Sequence, residues 1–171
     1  WQPVSLPVMG EWTVSQGVHG ENTHQGEWAH AWDLVITGND GAEFRGEGLT
    51  PRDYHCYEKP VVAPADGTIA DLIDGIPDNP IGDNNVRQNW GNSIVIRHGE
   101  HLFSQVSHLK PGSLKVKKGD PVKRGDLIAL CGNSGRSPYP HLHFQIQATP
   151  HIGSKTLDYP LSDFLLNQEG R

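Results

Sequence analysis

Apolar positions in this chain fall in short runs that alternate with polar residues and are cut off by Gly, Pro, Asn and Asp. Such runs predict strands. Residues 31–37 read as the first core strand, and Leu127-Ile128-Ala129-Leu130-Cys131 as another. Ser93-Ile94-Val95-Ile96-Arg97 and the stretch 102–107 flank His98-Gly99-Glu100 and read as an antiparallel hairpin. Residues 60–70 read as strand, Asp66-Gly67 turn, strand. A V-x-x-G-D turn unit occurs twice between Val116 and Asp126. The one amphipathic helix predicted is 161–166, capped weakly by Ser162.

Between these elements lie a polar, Gly-rich excursion at 38–59 and the longest loop, 74–90, whose length predicts that it rims a cleft. The pattern predicts an all-β, single-domain protein of antiparallel strands, with long loops around an open groove. We divide it into an irregular arm at 1–23, packed on the domain by Trp1 and Trp12, a central unit at 24–150 and a C-terminal extension at 151–171 packed on that unit.

Composition narrows the function. A length of 171 residues suits one domain with a real core, and 20 Gly with 13 Pro suit many turns. The net charge of -6, with no basic cluster beyond Lys115-Val116-Lys117-Lys118, argues against nucleic acid as a partner. No apolar run approaches the roughly 18 residues of a membrane span, so no transmembrane segment is expected in this chain. The chain opens at Trp1 without Met or a visible signal peptide and reads as a processed or truncated product. Cys56 and Cys131 lack metal-motif spacing; they are either one disulfide or two buried thiols. Composition says nothing of oligomeric state.

The candidate chemistry lies in Pro140-His141-Leu142-His143-Phe144-Gln145-Ile146. Two imidazoles at i and i+2 of a strand share a face and converge on one point, as two metal ligands or as one ligand beside an acid/base group. Asp33 lies within an apolar strand, where a carboxylate is costly to bury unless it is paired or bound to a metal. His24 and His30 lie just before it, and His108 closes the strand at 102–107. His19, His55, His98, His101 and His151 read as solvated side chains. Trp28, Trp32 and Trp90 are candidates to line a groove, with core packing expected of at least two.

The order of these pieces carries a resemblance. A His/Asp strand is followed by V-x-A-P-x-D-G-T, G-N-S-I-V-I-x-H-G, S-H-L, V-K-x-G-D-x-V-x-x-G and C-G-N-S-G-x-S-x-x-P-H-L-H-F. From about Thr23 to Gln147 this resembles the M23 metallopeptidases, the lysostaphin-like zinc endopeptidases that cut peptidoglycan peptide bridges. The resemblance implies a metal site of His143 and Asp33, with His141 and His108 as the catalytic imidazoles. It also implies Zn2+ as cofactor, a peptidoglycan peptide as substrate and an extracytoplasmic location.

The remaining ligand departs from the family spacing H-x-x-x-D, because position 29 is Ala29. His24 and His30 are the two candidates. His30 falls on the opposite face of a regular strand from Asp33, whereas Gly26 lets a loop return His24 to the site, so His24 is assigned. Asn92 and Ser137 match family positions that orient the site. Two other readings stay open: a catalytically silent module of this family that binds wall or regulates another hydrolase, and a phosphocarrier domain of the glucose-permease type.

Overall fold

The computed structural model describes residues 1–166, so the last five residues of the expected C-terminal extension lie outside the described part. Among the described residues nine strands form: β1 (Thr13–Gln16), β2 (Ala31–Val35), β3 (Pro60–Val62), β4 (Gly67–Ile73), β5 (Asn92–Gly99), β6 (Leu102–Leu109), β7 (Pro121–Val122), β8 (Leu127–Leu130) and β9 (Leu142–Gln147). Three single-turn 3₁₀ segments are the only helices among the described residues, so the protein is all-β as expected. None of them is long and apolar enough to cross a membrane. Seven strands form an antiparallel sheet in the order β1-β2-β9-β6-β5-β4-β7, and β3 pairs with β8 in a separate ribbon.

Period-2 patterning sets the two faces of the sheet. On β9, Leu142, Phe144 and Ile146 enter the core with Leu34, Ile94, Ile96 and Val106, against Val61, Ile128 and Ala129 of the ribbon. His143, Gln145 and Gln147 therefore point to the other face, where they too are buried. Cys56 and Cys131 are free thiols within the same core.

The two V-x-x-G-D units fold as matching turns. Asp120 Oδ2 accepts from the Lys117 amide at 2.9 Å and Asp126 Oδ2 from the Lys123 amide at 2.8 Å. The loop at 74–90 is tied down firmly. Asn92 exchanges hydrogen bonds with both backbone groups of Ile76, and the Asn79 amide donates to the carbonyls of Gly135 and Ser137. At its end the chain packs backbone to backbone on the 132–137 turn: a Cβ at Gly91 would lie 2.4 Å from the Ser134 carbonyl oxygen.

Four expectations are corrected. The strands flanking Asp66-Gly67 do not form a hairpin; β3 pairs with β8, and β4 with β5 and β7. Asp66 instead accepts from the Arg124 amide, which fixes a crossover between the two sheets. The arm at 1–23 is not wholly irregular, since β1 extends the sheet at its edge, and Trp1 is 80% exposed while Trp12 is buried. Residues 161–166 are not helical, because the Ser162 amide donates to the Val4 carbonyl of the N-terminal arm instead of pairing along its own segment.

His98 is not a solvated side chain. Its Nδ1 meets the Asp66 carbonyl at 2.8 Å and its Nε2 the Ser104 hydroxyl at 2.8 Å, joining the β3–β4 crossover to β6. Burial lowers its pKa, outweighing the Asp66 contacts that favour the proton. As pH falls through about 6.5 the unfolded chain takes up a proton that the folded ring resists, so stability falls with acidification from there downward. We predict that His98→Gln costs about 1 kcal/mol at pH 7.5 and flattens the decline of Tm between pH 7 and 5, measured by thermal melts across pH. A variant as acid-sensitive as the parent would contradict this role.

Candidate metal centre

One row of residues crosses the sheet at a single level. Asp33 on β2 lies opposite His143 on β9, His143 lies opposite Ser107 on β6, and Gln16 on β1 lies opposite Asp33. Directly opposed residues share a face, so the carboxylate and the imidazole meet without any loop to bring them together. His143 Nδ1 is 3.0 Å from Asp33 Oδ1. Loops supply two more rings. His24 is almost fully buried, with Nε2 3.3 Å from the same oxygen, and His141, just before β9, places Nε2 3.7 Å from it. His108, the penultimate residue of β6, sets its ring 4.6 Å from that of His141 and 5.9 Å from that of His143. Its neighbour Ser107 already faces this side; a φ of 63° at His108 breaks the alternation and turns the next side chain in as well.

The far nitrogen of each ring decides what the near one presents. His24 Nδ1 donates to the Gly17 carbonyl, His141 Nδ1 to the Tyr139 carbonyl and His108 Nδ1 to the Ser134 carbonyl. A carbonyl only accepts, so each of these rings carries its proton on Nδ1 and turns the Nε2 lone pair inward. His143 is fixed the other way round. The Gln145 amide donates to Gln147 and to the Ser154 carbonyl, so its oxygen faces His143 Nε2, which must donate, leaving Nδ1 as the lone pair aimed at Asp33.

Lone pairs set against a carboxylate 3.0 to 3.3 Å away repel unless a cation or proton lies between them. His24 Nε2 is also a buried atom with no hydrogen-bond partner. The donor atoms of His24, Asp33 and His143 all lie within 4.8 Å of one another, a set that can hold a metal ion. Two neutral imidazoles and one carboxylate suit zinc with an open position. Without a cation, protons relieve the conflict. Burial works against a charged His24, yet the Asp33 contact and the Gly17 carbonyl together raise its pKa. Burial likewise disfavours charge on Asp33, but His141, His143 and His24 hold its carboxyl far below the usual range.

Known proteins resemble this chain in sequence and in fold. The sequence profile of peptidase family M23 matches residues 52–156. The chain belongs to that family. The peptidoglycan DD-endopeptidase ShyB of Vibrio cholerae is 38% identical over 128 residues, which cover 71% of this chain and 29% of that protein. ShyA of the same organism is 39% identical over 101 residues, covering 56% of this chain and 23% of its own. The chain thus spans under a third of the length of these relatives. Among solved structures, a zinc-containing peptidase from Vibrio cholerae superposes with a TM-score of 0.60 at 20% identity, over 95% of this chain and 41% of that one. The catalytic domain of lysostaphin from Staphylococcus simulans gives 0.51 at 19% identity, over 85% and 86%. These likenesses place the fold with the M23 peptidases.

The matched segment holds His108, His141 and His143 but begins after His24 and Asp33. Two of the five residues of the cluster therefore rest on the geometry of this chain. The structure brings His24 to Asp33 and not His30, which packs against His19 at 5.1 Å and lies 3.7 Å from the exposed Asp158. Asn92 spends its side chain on Ile76 and the Leu109 carbonyl, tying down the 74–90 loop, while Ser137 Oγ lies 3.2 Å from His141 Nδ1. Trp28 and Trp90 pair edge to face and line the cleft over the cluster, contrary to the core packing expected of two of the three tryptophans; Trp32 packs on Phe144.

The cleft encloses about 790 Å³, and Asn84, Asn89 and Trp90 from the long loop form part of its wall. Sequence reasoning missed Gln145 and Gln147, although both continue the i+2 series of His143 on β9. It also missed Gln16.

If the cluster holds zinc, the ion stabilises the folded state by mass action. At a free concentration of 100 times the dissociation constant the gain is about 2.7 kcal/mol, or roughly 5 to 10 °C in Tm for a chain of this size. We predict that His24→Ala abolishes this shift and that His30→Ala leaves it intact, read by melts with and without zinc.

Proposed function

We propose that the protein is a zinc-dependent endopeptidase that hydrolyses peptide bonds in peptidoglycan stem peptides or cross-bridges, and that it acts outside the cytoplasm. The observation that carries this reading is the aim of three imidazoles, each held by its far nitrogen, at Asp33 Oδ1, with the ring of His108 set against those of His141 and His143. Family membership, and the peptidoglycan DD-endopeptidase names of ShyA and ShyB, support the substrate. We assign His24, Asp33 and His143 as metal ligands and His141 and His108 as catalytic residues. The peptidase unit is residues 24–150, with the flanking segments packed on it.

When bound, zinc supplies a Lewis acid that polarises a carbonyl and makes water acidic near neutral pH. The remaining work falls to the chain. His141 is the more open of the two free rings, and its Nε2 presents the lone pair because Nδ1 donates to the Tyr139 carbonyl. It takes the proton of the attacking water and returns it to the leaving amine. His108 is held neutral at neutral pH: burial lowers its pKa, and the neighbouring His141 and His143 lower it further. Such a ring accepts a proton only briefly and gives it up readily, which suits transfer rather than a standing positive charge.

A silent module has no need of two further oriented imidazoles beside a metal cluster, and a phosphocarrier has no need of Asp33. Both features support hydrolysis. Replacing His141 or His108 with Ala should lower kcat on cross-linked peptidoglycan fragments by about 10²–10⁴-fold while leaving about one zinc per chain. Loss of zinc together with activity would reassign that residue as a ligand, and full activity would overturn the reading.

Trp28 is 41% exposed at the mouth of the cleft, with Nε1 donating to the Gly153 carbonyl. It offers the substrate an apolar face remote from proton transfer. Trp28→Ala should raise KM roughly 5- to 30-fold, the worth of about 1–2 kcal/mol of contact, with kcat little changed. A change confined to kcat would contradict that placement.

A further inference from the structure

We propose that Gln16 is a positioning residue of the metal centre, joining His24 and Asp33 into one rigid pair of ligands. This rests on the reading that the cluster holds a metal. In the family spacing H-x-x-x-D both ligands come from one short segment. Here His24 stands nine residues before Asp33, on the far side of a 3₁₀ turn, so regular structure does not fix their separation.

Gln16 closes that gap with a saturated amide. Its Nε2 donates to Asp33 Oδ2 at 2.8 Å and to the Thr23 hydroxyl at 2.8 Å, and its Oε1 accepts from the amides of Asn22 and Thr23, each at 3.0 Å. Two donors and two acceptors are the full capacity of the side chain. The first contact engages one carboxylate oxygen and leaves Oδ1 facing the imidazoles. The other three fix the residues immediately before His24, whose own Nδ1 returns to the Gly17 carbonyl.

The backbone is arranged to deliver this side chain. Val14 lies opposite Leu34 and Gln16 opposite Asp33, so β1 carries one extra residue, Ser15, at that point. Without this bulge Ser15 would face Asp33 and Gln16 would point to the other side of the sheet. Gly20 completes the fit, because a Cβ there would lie 2.2 Å from Gln16 Cγ.

Two variants test the proposal through metal binding, independently of turnover. Gln16→Leu removes the polar contacts but keeps an edge-strand side chain. Gly20→Ala leaves Gln16 in the sequence and displaces it from its seat. Both should weaken zinc binding by about 10- to 100-fold, measured by competition with a chromophoric chelator. Both should also change the visible absorption of the cobalt-substituted protein.

Variants that bind zinc as tightly as the parent, with the parent's cobalt spectrum, would overturn the proposal. So would a loss of Tm in the metal-free protein with affinity unchanged, which is the signature of a merely structural edge residue. If the parent protein itself takes up neither metal, the reading of the centre fails and this proposal fails with it.

Discussion

A carboxylate buried among imidazoles governs this molecule. Asp33 stands in a strand whose neighbours Leu34 and Val35 belong to the interior, and its side chain is only 12% exposed. Burying an uncompensated carboxylate costs several kcal/mol even after relaxation, and neutral rings that present lone pairs to it do not offset that cost. The arrangement is stable only with positive charge at its centre. A divalent cation supplies it in one step, whereas protons satisfy the same geometry piecemeal and in competition with burial.

The fold holds this constraint at several depths. Cross-strand register sets Gln16, Asp33, His143 and Ser107 in one line, so a single sheet face provides the floor of the site. Behind it, Gln145 and Gln147 form a directed amide chain that ends on backbone carbonyls near 149–154 and dictates the tautomer of His143. Above it, the long loop and the 132–137 turn pack without side chains between them at Gly91 and Gly135. This holds the Ser134 carbonyl against His108 and brings Trp90 over His143. Each ring is oriented by a group outside the cluster, a pattern common to metal sites and one that limits how far any single ligand can drift.

Much of this is legible in the residue pattern, because the signals are local. The apolar positions of β9 and β5 declare both strand and face, and an imidazole two residues from another on such a strand must share its side. The departures arise where partners distant in sequence decide. The Asp66-Gly67 turn carries a hairpin signature, but Arg124, 58 positions away, captures Asp66 and turns the segment into a crossover. Residues 161–166 have a helical pattern that the Val4 carbonyl overrides. His98 reads as a turn residue until Ser104 and the Asp66 carbonyl enclose it. Gln16 lies in a stretch with little periodicity, and only the bulge at Ser15 reveals that it faces the site.

The choice between His24 and His30 illustrates the same limit. Strand alternation argues against His30, but it cannot by itself bring His24 back; that requires the loop at 17–24 to close on Gln16 and on its own Gly17 carbonyl. X-ray absorption at the zinc edge of metal-loaded protein tests the central claim most directly. The account predicts two nitrogen scatterers from imidazole and one carboxylate oxygen at about 2.0–2.2 Å, with the imidazole signal falling to one ring in His24→Ala. Three or more imidazoles on the metal, or a spectrum unchanged in His24→Ala, would contradict it.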